Sequence, residues 1–557
     1  MEYCLISKTI NCKNCYKCIR HCPIKAISFK DNKAEIIQEE CILCGKCHLV
    51  CPQNLKIVRD DTKIVEELIK KYDVIVSIAP SFVSYFHTGI SNVKEALLKV
   101  GFKDVEETAV GATIVKKQYE KILDEGKQDI LISSCCHSIN LLIQKHYKGA
   151  LKYLANVYSP MVSHGKDIKE RNKDAKVVFI GPCIAKKNEG DRHQEYIDAV
   201  LTFEELDNLL NEHDIEINQD HVIKNEIEES KARLFPTTGG ILKTLSKRND
   251  NYTYLAIDGV EECEAVLQDI IDGKVHHCFI EMSACHGSCV NGPIMKHDDS
   301  IITRDIEINH YAGKKDFNVS DTNIDYNYQP IYHTNYATPS EKDIQDVLNS
   351  IGKTDKEHEL NCGSCGYETC RKKAIAVLLK RATREMCLPY LMEKAQSFSN
   401  NIVNNSNVGY IVLDENLNIQ LVNHRLCSII GIDNPQDVIK RPVSTILDPT
   451  DFARALEGDT LPLYQKEYLS SYDKYVEKSI HYDEKYHILI ASIKDITSEE
   501  INKQKQQESV QKTLKIADEL IEKHMRAVQE IASLLGESAA ETKVALLSLK
   551  ETLDHDK

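Results

Sequence analysis

Two copies of one cysteine pattern near the start of the chain restrict how that region can fold. Both copies read C-x2-C-x2-C-x3-C-P, and their cysteines are Cys12, Cys15, Cys18 and Cys22, followed by Cys41, Cys44, Cys47 and Cys51. Three closely spaced thiolates can surround one cubane cluster, while the fourth, next to a proline, ligates the neighbouring cluster. The spacing therefore predicts two [4Fe–4S] clusters, with the ligand sets Cys12, Cys15, Cys18 and Cys51, and Cys41, Cys44, Cys47 and Cys22.

Zinc is the alternative for a cysteine cluster, but zinc sites prefer two pairs of ligands to a doubled run of four. Residues 1–58 resemble the bacterial two-cluster ferredoxin domain. The resemblance implies a ferredoxin-like head that conducts electrons between neighbouring clusters. Four cysteines stand outside every motif and are expected to be small buried apolar side chains: Cys4, Cys263, Cys278 and Cys427.

Length and charge exclude several classes of protein. With 557 residues the chain exceeds the roughly 300 residues at which a single core stops growing, so several domains are expected. The formal net charge of -15 argues against a nucleic acid partner, because phosphate binding requires concentrated basic surface. No apolar run is long enough to span a bilayer, and Met1–Ile10 lacks a signal-peptide pattern. The sequence predicts a cytoplasmic protein with no membrane partner, whose clustered cysteines bind metal.

From Asp73 onward, apolar strand-like runs alternate with helical patterns, which predicts an α/β domain with largely parallel strands. The runs are Val74–Pro80, Ile130–Ser133, Lys176–Ile180 and His276–Ile280, with a helical stretch at Val93–Val100. Functional loops in such sheets gather at the carboxyl ends of the strands. Three of the runs lead into cysteine loops, which read SSCCHS, GPCIAKK and EMSACHGSC.

These three loops, in this order, resemble the loops of the iron-only ([FeFe]) hydrogenase catalytic domain over residues 73–315. Ile78–Ser81, Thr237–Gly240 and Val290–Gly292 are further matches. The resemblance implies a catalytic domain over residues 73–335 that holds the hydrogen-activating H-cluster. Its substrates would be H2 and protons, and dedicated maturation proteins would supply the diiron unit.

The resemblance also implies roles for individual residues. The [4Fe–4S] half of the H-cluster would be held by Cys136, Cys183, Cys285 and Cys289. Cys289 would also bridge to the diiron subcluster, which carries CO and CN ligands. Lys186 would donate a hydrogen bond to a cyanide, and the Cys135 thiol would relay protons. The alternatives are an exposed surface lysine for Lys186 and an inert buried thiol for Cys135.

The chain departs from the family pattern around the diiron pocket. The substitutions are Gly181 and Ser283 in place of methionines, Met161 in place of a polar residue and His137 in place of a proline. The helix expected to supply proton-path glutamates reads Val115–Tyr119 with Glu120 beside it, which leaves the outer proton route open. Smaller and more polar surroundings change the potential and the ligand states of a cluster. We therefore expect slow turnover, a shifted resting state and a sensory role.

A further cysteine set lies beyond this domain. Its members are Cys362, Cys365, Cys370 and Cys387, the last followed by Leu388-Pro389. The set predicts another [4Fe–4S] site in a small domain over residues 337–396, with a helix over Arg371–Thr383, and zinc remains the alternative. Residues 296–336 are polar and are expected to form irregular surface structure and a linker.

Cysteines become rare from residue 397 onward. Residues 397–498 resemble a PAS domain, an α+β fold, because a hairpin pattern at Gly409–Asn423 precedes a strand at His487–Ile493 and an Asp495-Ile496-Thr497 exit. Residues 499–557 have an a/d rhythm that predicts a coiled-coil helix and a homodimer. Its positions are Leu514, Ile521, Met525, Val528, Ala532, Leu535 and Ala539. His524 is expected to face solvent rather than accept phosphate, because no nucleotide-binding motif follows it.

The sequence thus predicts a multidomain α/β protein that reversibly converts H2 to protons and electrons. It would exchange electrons with ferredoxin or another redox protein, and it would signal through the PAS domain to a separate effector. Two alternatives remain open. One is a metabolic, ferredoxin-linked hydrogenase, and the other is a non-catalytic iron–sulfur scaffold for electron transfer or redox response.

Overall fold

The structure is a computed structural model that describes residues 3–8, 12–219, 227–332, 339–459 and 464–535, with Ser548 and Lys550. The chain divides into two compact units, Met1–Leu391 and Met392–Lys557. The predicted boundary at residues 335–337 lies outside the described residues. None of the described helices is long and apolar enough to cross a membrane.

The head is built from two small antiparallel pairs and two short helices. Leu5–Ser7 pairs with Lys56–Val58, and Ile27–Lys30 pairs with Lys33–Ile36. The helices are Lys17–His21 and Lys46–Leu49. Each helix begins after a residue with left-handed backbone, Tyr16 in the first cysteine repeat and Gly45 in the second. The two cysteine repeats therefore fold alike.

Two parallel sheets form the centre of the first unit, as the alternating pattern predicted. The four-stranded sheet has the order Asp104–Glu107, Val74–Ile78, Lys176–Gly181, Ala199–Thr202. The three-stranded sheet has the order Thr253–Asp258, Cys278–Ser283, Ile130–Ile132. Every pairing in both sheets is parallel. Val74–Ile78 is buried along its whole length, as expected for a strand covered on both faces.

Helices cover both sheets. They are Thr62–Lys71, Val83–Phe86, Ile90–Val100, Ala109–Glu125, His137–Lys145, Pro160–Arg171, Ala185–Arg192, Phe203–Glu212, Gly240–Thr244, Val260–Ile271 and Ile301–Tyr311. The predicted helical stretch at Val93–Val100 is confirmed as the greater part of Ile90–Val100.

The prediction that residues 296–336 form irregular surface structure and a linker is wrong for one helix. Ile301–Tyr311 begins after Ser300, whose side chain accepts a hydrogen bond from the Thr303 amide. Ile308 and Tyr311 are fully buried in the core that surrounds the four-stranded sheet. Tertiary burial of these few apolar side chains outweighs the polar character of the segment.

The small cysteine domain contains the helices Glu341–Ser350 and Cys370–Leu378. The predicted helix over Arg371–Thr383 is therefore confirmed but ends earlier, and Lys380 has a left-handed backbone (φ 58) just beyond its end. Cys387 lies directly before the helix Leu388–Asn404.

The second unit has a five-stranded antiparallel sheet. Its order is Ile419–Val422, Gly409–Asp414, Ile488–Asp495, Lys474–Asp483, Gln465–Leu469. The helices His424–Ile430 and Thr450–Leu456 contribute Leu426 and Phe452 to its core. The predicted hairpin and the α+β character are confirmed. The helix Thr497–Leu535 follows the sheet. Ala539 lies outside the described residues, and the coiled coil stays a prediction.

Candidate active site and cluster sites

The three cysteine loops extend from the carboxyl ends of strands in both parallel sheets. Ile130–Ile132 and Cys278–Ser283 belong to one sheet and Lys176–Gly181 to the other. Cys135, Cys183 and Cys289 nevertheless line one cavity of about 100 Å³ together with Lys186. The loops therefore meet between the two sheets, which no single loop motif could have shown.

The rest of the cavity wall is mainly apolar. Met161, Phe179, Phe235 and Pro236 contribute to it. Ser81 is an exception, because its buried hydroxyl has no hydrogen-bond partner among the residues the structure describes. A buried donor without a partner costs free energy, so a group with acceptor atoms would be stabilised here. The cavity thus suits a compact ligand with a few acceptors and a thiolate attachment.

The Lys186 side chain is only 13% exposed at this cavity, so the alternative of an exposed surface lysine is wrong. Its Nζ donates to Glu189 Oε2 at 2.5 Å, to the Ser159 hydroxyl at 3.1 Å and to the Cys135 carbonyl at 3.2 Å. Burial alone would lower the pKa of Lys186, but the Glu189 carboxylate outweighs burial and the pKa is raised. An ammonium group therefore remains available beside an anionic ligand.

Cys135 is held by a residue that the sequence did not single out as a partner. The Tyr119 hydroxyl lies 3.3 Å from Cys135 Sγ and 3.0 Å from the Ser134 hydroxyl, and it accepts a hydrogen bond from the Ser134 amide at 2.8 Å. Burial raises the pKa of Cys135 to about 12, although the Tyr119 hydroxyl works in the opposite direction. The thiol is therefore protonated at neutral pH.

Lys116, on the same helix as Tyr119, makes a structural ion pair. Its buried Nζ lies 2.5 Å from Asp316 Oδ2 and 3.5 Å from Glu120 Oε1. Asp316 and Glu120 therefore compensate the charge of Lys116 on the helix that was expected to carry the glutamates of a proton path.

Cys136, Cys183, Cys285 and Cys289 lie close to one another. Burial, followed by the thiols of Cys183, Cys136 and Cys289, holds the pKa of Cys285 well above its usual range. Four mutually repelling sulfurs so close together are unfavourable as thiolates unless a metal cluster neutralises them. The donor set therefore fits a cluster, and its identity as the H-cluster ligand set stays a prediction.

The substitutions around the cavity do not leave it open. A side chain on Gly181 would start 2.8 Å from the ring of Phe179, which fills that space. The Ser283 hydroxyl forms a hydrogen bond of 2.8 Å with the Ser288 hydroxyl. His137 is buried with Nε2 3.1 Å from Asn188 Oδ1, and burial lowers its pKa to about 4, so it is neutral. The cavity therefore gains little polarity from Gly181 and Ser283.

The head cysteines lie in two groups. Cys12, Cys15, Cys18 and Cys51 line one small cavity. After burial, the thiols of Cys41, Cys44 and Cys22 are the main causes that hold the pKa of Cys47 above its usual range. The two sets are thus brought together separately, and the metal that each binds stays a prediction.

The head also contacts the hydrogenase-type loops. A Cβ on Gly45 would lie 2.4 Å from Cβ of Pro293, and Gly45 has a left-handed backbone (φ +76). Cys44, next to Gly45, is among the thiols that raise the pKa of Cys285. One head site is therefore adjacent to the buried four-cysteine site.

Cys362, Cys365, Cys370 and Cys387 line a further cavity, together with the buried Lys353 and Lys373. The four cysteines outside motifs are all buried, which confirms the prediction for Cys4, Cys263, Cys278 and Cys427.

Known families match the same parts of the chain. Residues 72–293 match the family described as iron only hydrogenase large subunit, C-terminal domain. Residues 11–55 match a 4Fe-4S dicluster domain, and residues 359–389 match a family described as an Fe-S cluster. Residues 72–293 are similar to the C-terminal domain of the iron-only hydrogenase large subunit.

Individual relatives of this hydrogenase-like chain are distant. Iron hydrogenase 1 of Clostridium pasteurianum is 26% identical over 295 residues, which cover 40% of this chain and 50% of that protein. The periplasmic [Fe] hydrogenase large subunit of Nitratidesulfovibrio vulgaris is 28% identical over 265 residues, covering 36% and 62%. A cytosolic Fe-S cluster assembly factor of Vanderwaltozyma polyspora is 26% identical over 207 residues, covering 33% and 38%. The chain spans only part of each relative, and the matches include both enzymes and an assembly factor.

Proposed function

We propose that the chain is an iron-only hydrogenase that reversibly converts H2 to protons and electrons, slowly, as a sensor of hydrogen or redox state. One observation carries this proposal. Cys135, Lys186 and Cys289 face one small, largely apolar cavity, and Cys289 also belongs to the adjoining four-cysteine site. A small, mainly apolar site that presents a thiol, an ammonium group and a cysteine able to bridge to a metal unit suits heterolytic chemistry on a small uncharged molecule.

Each cavity residue has a role in this proposal. Cys289 would attach the diiron unit, which when bound supplies the centre for heterolytic cleavage of H2. Lys186, fixed by Glu189, would hold an anionic ligand of that unit by a charge-assisted hydrogen bond. Cys135, protonated at neutral pH, would carry a proton at Sγ, and the Tyr119 hydroxyl would orient the thiol.

Electrons would enter or leave through the head. The contact between Gly45 and Pro293 places a head site beside the four-cysteine site, so transfer would need no large motion. Ferredoxin or another redox protein would exchange electrons with the head.

The sensory part rests on the second unit. A five-stranded antiparallel sheet with short helices is compatible with a PAS domain, and the long helix Thr497–Leu535 offers a dimerisation element. Cys387 immediately precedes the helix Leu388–Asn404, which leads to the first strand of the sheet. A redox change at Cys387 could thus be transmitted along the chain to a homodimer and a separate effector.

A non-catalytic scaffold is the second candidate, because the cluster assembly factor matches at the same 26% identity as one hydrogenase. A metabolic hydrogenase would have the same site and would differ by fast turnover.

Infrared spectroscopy of the anaerobically matured full chain, under H2 and under inert gas, tests the proposal. Bands from iron-bound CO and CN that change with H2 are expected, and steady-state turnover well below that of a metabolic hydrogenase should accompany them. Cys289→Ala should lose the bands, whereas Cys278→Ala, a buried cysteine outside the cavity, should keep them. Absence of bands while a known hydrogenase matures in parallel would overturn the proposal in favour of the scaffold.

A further inference from the structure

The site formed by Cys362, Cys365, Cys370 and Cys387 is distinguished by two buried ammonium groups. Lys353 and Lys373 line the same cavity as the cysteines and are only 5% and 1% exposed. Lys373 lies on the helix Cys370–Leu378, and Lys353 follows the helix Glu341–Ser350. Burying two lysines is costly, so they need a nearby negative charge in the occupied site.

Neither lysine forms an ion pair with a carboxylate in the described part of the chain. The Nζ of Lys373 donates to the Arg384 carbonyl at 3.0 Å, and Glu385 is the carboxylate whose charge acts on it most. Within the described part of the chain, no carboxylate oxygen lies within 4.0 Å of either Nζ. Lys186, by contrast, is paired with Glu189 at 2.5 Å. The sulfurs of Cys387 and Cys365 are therefore the largest charges acting on Lys373, ahead of Glu385, and Lys353 acts on Cys362.

The head sites also have buried lysines near them, and Lys56 acts on cysteines of both sets. Lys56 lines the cavity of the first set, where its Nζ donates to Ser7 Oγ and the Ala34 carbonyl, both at 2.6 Å. Lys145 donates to the Cys41 carbonyl at 2.7 Å. Reduction adds a negative charge to an iron–sulfur cluster, so nearby buried cations favour the reduced state. Among the cluster cavities in the described part of the chain, the one formed by Cys362, Cys365, Cys370 and Cys387 is lined by two buried lysines, so this site should hold an electron most readily.

The small domain is docked on the head closely enough to share electrons. The Arg20 guanidinium donates to the Ser364 carbonyl at 2.9 Å and to the Cys15 carbonyl at 3.0 Å. Arg381 makes a bidentate pair with Glu40 at 2.6 and 2.8 Å. A Cβ on Gly366 would lie 2.8 Å from Ile19 Cγ2 and 3.2 Å from the Arg20 amide nitrogen, so the two segments pack closely.

We infer that Lys353 and Lys373 make the Cys362–Cys387 site the preferred electron acceptor of this chain. The inference rests on the proposed function for the source of the electrons. Oxidation of one H2 releases two protons and two electrons, and each [4Fe–4S] cluster accepts one electron. One electron therefore settles at the Cys362–Cys387 site, and the other stays on a head site until an external one-electron acceptor removes it.

A potentiometric titration of the reconstituted full chain, followed by electron paramagnetic resonance under inert gas, tests the inference. The first cluster signal to appear on reduction should move to lower potential in Lys353→Gln and in Lys373→Gln. Lys353→Arg and Lys373→Arg should restore it, because they keep the charge. The matched controls Lys56→Gln and Lys145→Gln should leave that signal in place and move later ones.

The inference would be overturned if the first signal stayed fixed in both glutamine variants, or if metal analysis found zinc at this site. A glutamine variant could also lose the cluster at this site. In that case, disappearance of the signal that is first to appear on reduction supports the inference, and disappearance of a later signal contradicts it. Chemical reductants replace H2 in this titration, so its outcome is independent of whether the infrared bands of the diiron unit are found.

Discussion

The Tyr119 hydroxyl lies 3.3 Å from the sulfur of Cys135 and also accepts the buried amide of Ser134 at 2.8 Å. One phenol therefore fixes both the position of the thiol and the start of its loop. Tyr119 lies on the helix Ala109–Glu125. We therefore expect the Tyr119 hydroxyl to stabilise the folded state and to hold Cys135 in place at the cavity.

Replacing Tyr119 by Phe should lower stability and slow turnover. The Ser134 amide would lose its acceptor while buried, which costs about 1–3 kcal/mol. The CO and CN bands should persist, because no predicted cluster ligand is removed. The thermal unfolding midpoint and the turnover rate, measured beside Tyr252→Phe as a control, check this. An unchanged midpoint would contradict the assigned hydrogen bond.

Lys186 and its neighbour Lys187 allow the effect of a cavity cation to be separated from the effect of a buried ion pair. Lys186 pairs with Glu189, whereas Lys187 pairs with Asp61 and Glu205, away from the cavity. Removing either ammonium group leaves a buried carboxylate uncompensated, which costs about 3–5 kcal/mol. Both Lys186→Met and Lys187→Met should therefore lower the thermal midpoint, but only Lys186→Met should shift or remove the CN bands. Equal band shifts in both variants would contradict the proposed contact with an anionic ligand.

The strands could be predicted from sequence because their apolar runs are local signals, and the parallel pairing followed from the alternation with helices. The convergence of three loops from two sheets could not be derived from spacing, since it depends on tertiary packing. Tyr119 was missed for the same reason, because its partners Ser134 and Cys135 lie in a different element.

Two other features differ in how far they could be predicted from the sequence. Phe179 lies two residues before Gly181 in one strand, and side chains at that spacing share a face. The ring that fills the space beside Gly181 could therefore have been anticipated. The helix Ile301–Tyr311 was harder to predict, because only a few of its side chains, among them Ile308 and Tyr311, are apolar and buried.

Glu281 predicts a dependence of stability on pH. Burial raises its pKa from 4.5 to about 7, although amides including that of Leu242 donate to the carboxyl group. The folded state therefore binds more protons than the unfolded state between about pH 4.5 and 7. Stability should fall as pH rises through this window, by about 3 kcal/mol in total.

Glu281→Gln should remove this part of the pH dependence, because an amide does not titrate. Thermal midpoints of the wild type and the variant, measured from pH 5 to 8, should converge at the acid end and separate above neutral pH. Glu262→Gln, at an exposed carboxylate, serves as the control. A wild-type midpoint that rises with pH in parallel with the variant would contradict the role of Glu281.

The contact of Gly45 with Pro293 predicts a variant that uncouples the head from the hydrogenase-type domain. Gly45 and Gly126 both have a left-handed backbone, so alanine strains either position. A Cβ on Gly45 would lie 2.4 Å from Cβ of Pro293, whereas nothing lies within 4 Å of one on Gly126. Gly45→Ala should therefore push the head away from the loop that holds Cys289, and Gly126→Ala should not.

The rate of electron transfer falls steeply with distance. Gly45→Ala should therefore slow the reduction of an external acceptor by H2 and leave H2/D2 exchange at the cavity intact. Equal loss of both activities would mean that Gly45 supports the cavity itself, and equal rates in the two variants would mean that electrons do not pass through this contact.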